Sequence, residues 1–402
     1  MQPHLAFTNF LGKRIHLGVC GSISAFKSLE LLRMLQRTGA HLSATVTPSA
    51  ARFVTALSFE ALGAAPVYGD MFDHRDAVFG HLDPGQDADG FVVAPATANA
   101  LAKLACGLAD DMLSCQALAF PGSLVIAPAM NPRLWNAAAT QENLAKLKER
   151  GHVCIEPECG DMACGEEGRG RFPQLESIYL QALKAVTKQD MAGRKVLITL
   201  GPTREAFDCV RFWSNPSSGT MGAAIAVAAW LRGAEVTAVC GPVNLWLPEG
   251  INRIDVTTAR EMFDAASENF PSVDAACFTA AVADYRPANP QQDKFKKEQG
   301  GLNVEFKANP DILKTLGSQK TDRQFLIGFA AESSDIEGNC HKKLSAKNLD
   351  LIVGNDVTAE GCGFGKATNG VTVVDAKGRS ESWPVLPKSE VGWRIWDWML
   401  GL

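Results

Sequence analysis

The 402-residue sequence has no pair of cysteines at CxxC spacing, no block of lysines and arginines, and no apolar run of membrane-spanning length free of polar interruption. Each absence excludes a class of protein. Eleven cysteines, an odd number scattered along the chain, suit neither a disulfide framework nor a zinc ribbon, so reduced thiols of a cytoplasmic protein are expected. With a net charge of -5 and no basic block, the chain lacks what neutralising a nucleic-acid backbone requires, although local anion sites are compatible with it. Residues 1–10 carry no basic flank ahead of an apolar stretch, so neither a secretory leader nor a membrane partner is expected.

What is present points to buried sheets. Hydrophobic residues make up 46% and charged residues 21%, an ordinary balance for a chain that folds into a substantial core. The length is too great for one core. A hydrophobic strand runs into a small-residue turn twice, at Ile15-His16-Leu17-Gly18-Val19-Cys20-Gly21-Ser22 and at Val196-Leu197-Ile198-Thr199-Leu200-Gly201-Pro202-Thr203. These starts predict two domains, 1–189 and 190–402, each with a helix following the turn so that free backbone N–H groups and the helix dipole favour a phosphate there. In the first half, apolar runs at 16–20, 42–47, 91–95, 123–130 and 153–156 alternate with helical patterns, which predicts a parallel sheet with crossover helices. Ile23, Phe26, Leu29, Leu32 and Leu35 recur at helical spacing as expected core, and Gly39 supplies the helix stop.

The second half repeats the scheme, 233–239 echoing 39–45 as a helix stop leading into a second strand. Its polar stretch 287–301 reads as a loop able to act as a lid. Residues 371–374 and 381–385 flank Asp375-Ala376-Lys377-Gly378 as a hairpin that adds antiparallel strands, and Trp393 and Trp396 lie at packing positions on the last helix. The expected fold class is α/β, with two doubly wound, mostly parallel sheets.

Two sets of polar residues then stand out. Pro128-Ala129-Met130-Asn131-Pro132 follows a buried strand directly, which puts the Asn131 amide at a strand's C-terminal end, where it can fix a carboxylate. His81, in a loop after Gly80, is either a solvated side chain or a base and carboxylate partner. Cys164, in the glycine-rich segment 160–171, belongs either to a plain surface loop or to one that folds over a pocket and presents a thiol as acid. In the second half, residues 211–222 hold hydroxyls, the amide of Asn215 and two glycines ahead of a helix, either a well-capped start or a cradle for a phosphate or acyl group. Asp284 follows an apolar strand, where a carboxylate can meet magnesium or a ribose, and Lys294, Lys296 and Lys297 are either solvated or in reach of a triphosphate. Gly361-Cys362-Gly363-Phe364-Gly365-Lys366 is one residue short of a phosphate loop, with Ala367 in place of the hydroxyl, and is not read as one.

The segment 128–135, Pro-Ala-Met-Asn-Pro-Arg-Leu-Trp, together with Ala94-Pro95-Ala96-Thr97-Ala98-Asn99, resembles the paired signatures of the flavin-dependent cysteine decarboxylases, and Ala163-Cys164-Gly165 is similar to their coenzyme A branch. That resemblance implies a flavodoxin-like domain binding FMN and converting 4'-phosphopantothenoylcysteine to 4'-phosphopantetheine, oxidation at the thiol carbon making carbon dioxide loss possible. It implies FMN contacts at Gly21, Ser22, Ile23, Thr47, Thr97 and Asn99, with His81 assisting decarboxylation, Asn131 holding the carboxylate and Cys164 donating the proton. Cys20, Ser22 and Leu134 depart from the usual Ser, Gly and Met.

Residues 201–205, 214–222, 281–286, 309–311 and 328–332 resemble, in order, phosphopantothenate-cysteine ligase, with a Rossmann-like fold. That resemblance implies activation of 4'-phosphopantothenate by CTP as an acyl-cytidylate and attack by the cysteine amine. It makes Asn215 the ligand of the acyl intermediate with Arg211 beside it, and Phe278, Thr279, Ala280, Asp284, Lys294, Pro310, Asp311, Ile312, Leu313, Phe329, Lys343 and Lys347 nucleotide or substrate contacts, Asp284 being also the expected Mg2+ ligand. Thr220 stands where the family usually has Lys. Together the halves resemble the bifunctional bacterial coenzyme A enzymes, which implies a homo-oligomer, a dodecamer of decarboxylase trimers and ligase dimers. A peptide-cysteine decarboxylase or flavin prenyltransferase relative, and a regulatory binding module in the second half, are the competing readings. Cys164 argues against the first; Asn215 with Asp284 and Lys294 argues against the second.

Overall fold

A computed structural model describes the chain except residues 73–78, 163–164, 296–302, 333–334, 357–360, 364 and 402. The described chain forms two compact units, Phe7–Lys188 and Gln189–Leu402 together with Met1–Ala6. The first six residues thus pack with the second unit rather than the first. Leu5 and His4 are fully buried there, His4 Nε2 lies 2.7 Å from the Trp246 carbonyl, and Ser389 Oγ donates to the Ala6 carbonyl.

In the first unit six parallel strands, β1 (Arg14–Val19), β2 (His41–Val46), β3 (Val67–Tyr68), β4 (Gly90–Ala96), β5 (Leu124–Pro128) and β6 (Val153–Cys154), stand in the order β3-β2-β1-β4-β5-β6. Setting aside the two-residue edge strand β3, this is the flavodoxin-like order, which reverses between β1 and β4. The central strands β4 and β5 are continuous apolar runs, as in a parallel sheet covered on both faces. A separate hairpin of β7 (Glu158–Asp161) and β8 (Glu167–Arg171) follows. Leu32 and Leu35 of the helix Lys27–Gln36 are buried as the spacing predicts, but Ile23 and Phe26 are exposed. They belong to a separate 3-10 turn, Ile23–Phe26, whose tighter winding breaks the 3.6-residue phase and turns both side chains away from the sheet.

The second unit has β9 (Lys195–Leu200), a small hairpin of β10 (Arg204–Ala206) and β11 (Phe212–Ser214), β12 (Glu235–Cys240), β13 (Ile251–Asp255), β14 (Ala275–Phe278), a second hairpin of β15 (Tyr285–Pro287) and β16 (Phe306–Ala308), then β17 (Phe325–Glu332), β18 (Leu351–Asp356), β19 (Thr368–Asp375) and β20 (Ser380–Pro387). Its large sheet runs β13-β12-β9-β14-β17-β18-β19-β20. The first six are parallel in Rossmann-like order, and β19 and β20 add antiparallel as the hairpin signal around Asp375 predicts. The helix expected directly after the turn at Gly201 is absent. The hairpin of β10 and β11 intervenes and the helix starts only at Thr220, because Thr203 is fully buried and its hydroxyl accepts the Ala283 N–H, fastening the turn to the segment after β14. That helix, Thr220–Leu231, is buried on nearly every face, and Trp396 donates to its Ile225 carbonyl, the packing role expected of that tryptophan.

Candidate active sites

In the first unit a cavity of about 610 Å3 lies at the C-terminal edge of the sheet. That volume falls in the usual range of ligand pockets, roughly 300–1,000 Å3. Its walls come from the segments after β1 (Cys20, Gly21, Ser22), β2 (Thr47, Pro48, Ser49), β4 (Thr97, Ala98, Asn99) and β5 (Ala129, Met130), so it spans the point where the strand order reverses. Gly21, Ser22, Thr47, Thr97 and Asn99 are all among the lining residues, whereas Ile23 is not. Gly21 must be glycine for a local reason: a Cβ there would stand 2.5 Å from Ser49 Cβ. The hydroxyls are oriented by their own turns. Thr97 Oγ1 accepts the Ala100 N–H and caps the helix Ala98–Cys106, and Thr47 Oγ1 donates to the Val19 carbonyl while accepting the Ala50 N–H. Burial pushes the Cys20 thiol up to about 12.

Lys103, Asp111 and Ser114 also line this cavity and were not read from the sequence. Lys103 Nζ lies 2.6 Å from Asp111 Oδ2 and 2.7 Å from Asp110 Oδ1. Against the upward push of burial, that ammonium and the Ser114 N–H hold the Asp111 carboxyl below its usual range. The available signal was the Asp-x-x-Ser spacing ahead of an apolar run, a capping box at the start of the helix Met112–Ala119.

Asn131 follows the lining residue Met130 and caps the short helix Pro132–Trp135, its Oδ1 accepting the Arg133 N–H at 2.8 Å. Its Nδ2 donates to Glu166 Oε2 at 3.0 Å, and Arg133 Nη2 lies 2.7 Å from the other oxygen, Glu166 Oε1. An amide and a guanidinium here grip a carboxylate of the chain itself. His81 is partly exposed in the turn before the helix Asp83–Asp87, with its ring 6.5 Å from that of Phe79, and does not line the cavity. Cys164 lies outside the described residues.

The second unit holds a cavity of about 590 Å3, again at the C-terminal ends of its parallel strands. Asn215, Phe278, Thr279, Ala280, Asp284, Pro310, Asp311, Ile312, Leu313, Phe329, Lys343 and Lys347 all line it. Asn215 Nδ2 donates to the Val282 carbonyl at 3.0 Å, which fixes the amide beside the hydroxyls of Ser217, Ser218 and Thr220 at the start of the helix Thr220–Leu231. Gly222 admits this close approach, since a Cβ there would stand 2.3 Å from Thr279 Oγ1. Elsewhere on the wall, Lys347 Nζ pairs with Asp311 Oδ2 at 3.0 Å. Burial alone would raise the Asp311 carboxyl, but the Lys314 N–H and the Lys347 ammonium bring it below its ordinary value. Asp284 is an exposed carboxylate on the wall, and among the described residues no three histidine, cysteine or acidic side chains gather as a metal cluster.

Arg211 and Lys294 do not line this cavity. Arg211 Nη2 instead donates to the Phe295 carbonyl at 2.8 Å, and Asp208, which sequence reading missed, accepts N–H groups from Val210, Arg211 and Phe295. Lys296 and Lys297 lie outside the described residues. Also unforeseen on the wall are Asn355, Asn369 and the buried Lys388, distant in sequence from every motif. Gly363 joins them, although its segment is no phosphate loop.

Residues 7–187 match the flavoprotein family model, and residues 191–402 match the model of the DNA/pantothenate metabolism flavoprotein C-terminal domain. The coenzyme A biosynthesis bifunctional protein CoaBC of Bacillus subtilis is 43% identical over 95% of this chain and 95% of its own length. The protein of the same name from Escherichia coli strain K12 is 42% identical over 89% of each. A solved C-terminal domain of a protein of that name is 41% identical, covering 52% of this chain and 95% of its own, with a TM-score of 0.45. An FMN-dependent cysteine decarboxylase, SpaF, is 33% identical over 44% of this chain and 98% of its own, with a TM-score of 0.36. With both domain models matched in order and relatives aligned over about nine-tenths of both chains, the chain belongs to the family of bifunctional coenzyme A biosynthesis enzymes, a flavoprotein decarboxylase and a ligase on one polypeptide.

Proposed function

We propose that the second unit joins 4'-phosphopantothenate to cysteine with CTP, and that the first unit decarboxylates the resulting 4'-phosphopantothenoylcysteine with FMN. One observation carries this reading: each unit has its own ligand-sized cavity, with five of the residues expected to contact FMN on the first wall and Asn215, Asp284 and most of the expected nucleotide contacts on the second, while His81, Asn131, Arg211 and Lys294 stand off these walls.

In the second cavity the substrate carboxylate attacks the α-phosphorus of CTP, the bond to pyrophosphate breaks, and the cysteine amine then attacks the acyl carbon with release of CMP. Asn215, held by the Val282 carbonyl, is placed to donate to the acyl group, and the hydroxyls of Ser217, Ser218 and Thr220 give the cradle that an anion needs at a helix start. Lys343 and Lys347 supply positive charge to the nucleotide. Magnesium, which asks for only one or two protein carboxylates beside phosphate oxygens, would meet Asp284 and offset the triphosphate charge.

In the first cavity Gly21, Ser22, Thr47, Thr97 and Asn99 would hold FMN, which when bound would supply the electron sink for loss of carbon dioxide. Asn131 holds the substrate carboxylate. Its grip on Glu166, shared with Arg133, supports that role, since a substrate carboxylate would take the position this side chain occupies. His81 assists proton movement and Cys164 returns the final proton. We place the enzyme in the cytoplasm, where its cysteine thiols would stay reduced. It assembles in our reading as a homo-oligomer of decarboxylase trimers and ligase dimers, a dodecamer that light scattering would weigh against the 43.0 kDa chain.

The test is product analysis by mass spectrometry after incubating the purified protein with 4'-phosphopantothenate, cysteine, CTP and magnesium. Phosphopantetheine with CMP and pyrophosphate is expected. Accumulated 4'-phosphopantothenoylcysteine would remove the decarboxylase assignment, and absence of any CTP-dependent product would remove the ligase assignment.

A further inference from the structure

Among the polar side chains fully buried in the first unit, three are joined to one another: His16 on β1, Thr45 on β2 and Gln116 on the helix Met112–Ala119. Polar groups removed from water without a purpose are disfavoured, so their partners are informative. The hydrogen bonds run in one direction. Gln116 Nε2 donates to the Gly80 carbonyl at 2.7 Å, and its Oε1 accepts the Thr45 hydroxyl at 2.5 Å. Thr45 has one proton and gives it to Gln116, so its oxygen accepts from His16 Nε2, 2.9 Å away. That fixes the neutral tautomer of His16 with the proton on Nε2 and leaves Nδ1 to accept from Ser43 Oγ at 2.8 Å. Burial holds the imidazole neutral by lowering its pKa to about 3. Every group in the chain is satisfied, and its far end is a loop carbonyl one residue before His81.

The other end of that turn is fixed separately. Gly85 packs so closely on Ala119 that a Cβ would stand 2.9 Å from the Ala119 carbonyl carbon, and the Tyr68 hydroxyl donates to Asp83 Oδ2 at 3.2 Å. Packing therefore sets the downstream side of His81, and the Gln116 amide sets the upstream side. Ordered side-chain chains in a low-dielectric core hold geometry more firmly than an exposed bond would.

We propose that Gln116, backed by Thr45 and His16, is a positioning residue for His81 in the decarboxylation, clamping the Gly80 carbonyl so that the imidazole is presented in one orientation. This rests on the assignment of His81 made above, and the test separates the two. Decarboxylation of supplied 4'-phosphopantothenoylcysteine is followed in the full-length flavin-loaded protein and in Gln116→Met, Thr45→Val, Thr45→Ser, His81→Asn and the double variant Gln116→Met with His81→Asn. Gln116→Met and Thr45→Val keep side-chain bulk and remove the bond; each is expected to lower kcat about tenfold, the scale set by a small misplacement of a reacting group. KM, flavin bound per chain and the ligase rate stay at wild-type values. Thr45→Ser, which keeps the hydroxyl, retains wild-type kcat. In the double variant, Gln116→Met adds little to the loss caused by His81→Asn.

Wild-type kcat in flavin-loaded Gln116→Met, or a full tenfold further loss in the double variant, overturns the positioning role while leaving His81 in place. Wild-type kcat in His81→Asn overturns the assignment of His81 and the proposal with it. Should Gln116→Met shed its flavin, the pair Thr45→Val and Thr45→Ser decides: equal rates reject the proposal.

Discussion

The first unit builds its cavity on the turn that ends its first strand, whereas the second unit excludes the matching turn from its cavity. Cys20, Gly21 and Ser22 line the one; Gly201, Pro202 and Thr203 do not line the other, to which β9 gives Thr199 and the chain returns only at Asn215. Both units enter the turn from a buried parallel strand at the sheet centre. The difference comes after it. In the first unit a 3-10 turn and a helix follow at once, while in the second the buried Thr203 hydroxyl ties the chain to Ala283 and a small hairpin carries it on to a helix start at Thr220. One architecture thus offers its C-terminal edge to two chemistries, and the loops decide which residues arrive there.

If the two cavities work independently, each can be disabled alone. The largest effect is expected from Asn215→Ala, which should lower CTP-dependent ligation about a hundredfold or more, as loss of a donor to a developing charge does, with decarboxylation of supplied 4'-phosphopantothenoylcysteine unchanged. Pyrophosphate release beside carbon dioxide release measures both in one preparation. Next come the two glycines. Gly21→Val drives a side chain into Ser49 and Gly222→Val drives one into Leu200 and Thr279, overpacking of about 1–3 kcal/mol in each case. Flavin absorbance should fall in the first variant and CTP binding in the second, and crossed losses would break the comparison. Lys347→Met removes the partner of Asp311 and should raise KM for CTP about tenfold, the worth of one charge-assisted hydrogen bond, with no change in flavin content.

The last expectation is a pH slope that His16 adds to the stability of the first unit. His16 takes up a proton near its ordinary 6.5 when the chain is unfolded but only near about 3 when folded, because burial disfavours the charged ring. Between those values the unfolded state binds more protons, so the first unit loses stability as pH falls from about 6.5 toward 3. The groups facing the ring, Ser43, Thr45, Tyr68 and Phe91, carry no charge to offset this. Denaturant unfolding followed against pH should show a shallower slope in His16→Gln.

Elements with a simple period were legible in the sequence. The continuous apolar strands, the hairpin around Asp375 and the burial of Trp396 all follow from local pattern. Most lining residues of both cavities also lie in short segments directly after strands, where open α/β sheets bind ligands. Ile23 and Phe26 were misjudged as core because a 3-10 turn and an α-helix share a spacing over one turn and part company over two. Lys388, Asn355 and Asn369 reach the second cavity from strands and a helix added late in the chain, so only the tertiary fold brings them there. Arg211 and Lys294 have opposite histories. Their motifs were conspicuous, yet in the fold Arg211 is spent on the Phe295 carbonyl and neither faces the cavity wall.

The central claim is that two cavities on one chain carry two successive reactions, and it is tested most directly by mixing two broken proteins. Asn215→Ala and Cys164→Ala, each alone, are given 4'-phosphopantothenate, cysteine, CTP and magnesium, then combined, and products are read by mass spectrometry. The account predicts little product from the first, 4'-phosphopantothenoylcysteine from the second, and phosphopantetheine from the mixture. A mixture that yields no phosphopantetheine, or a single substitution that stops both reactions, would contradict it.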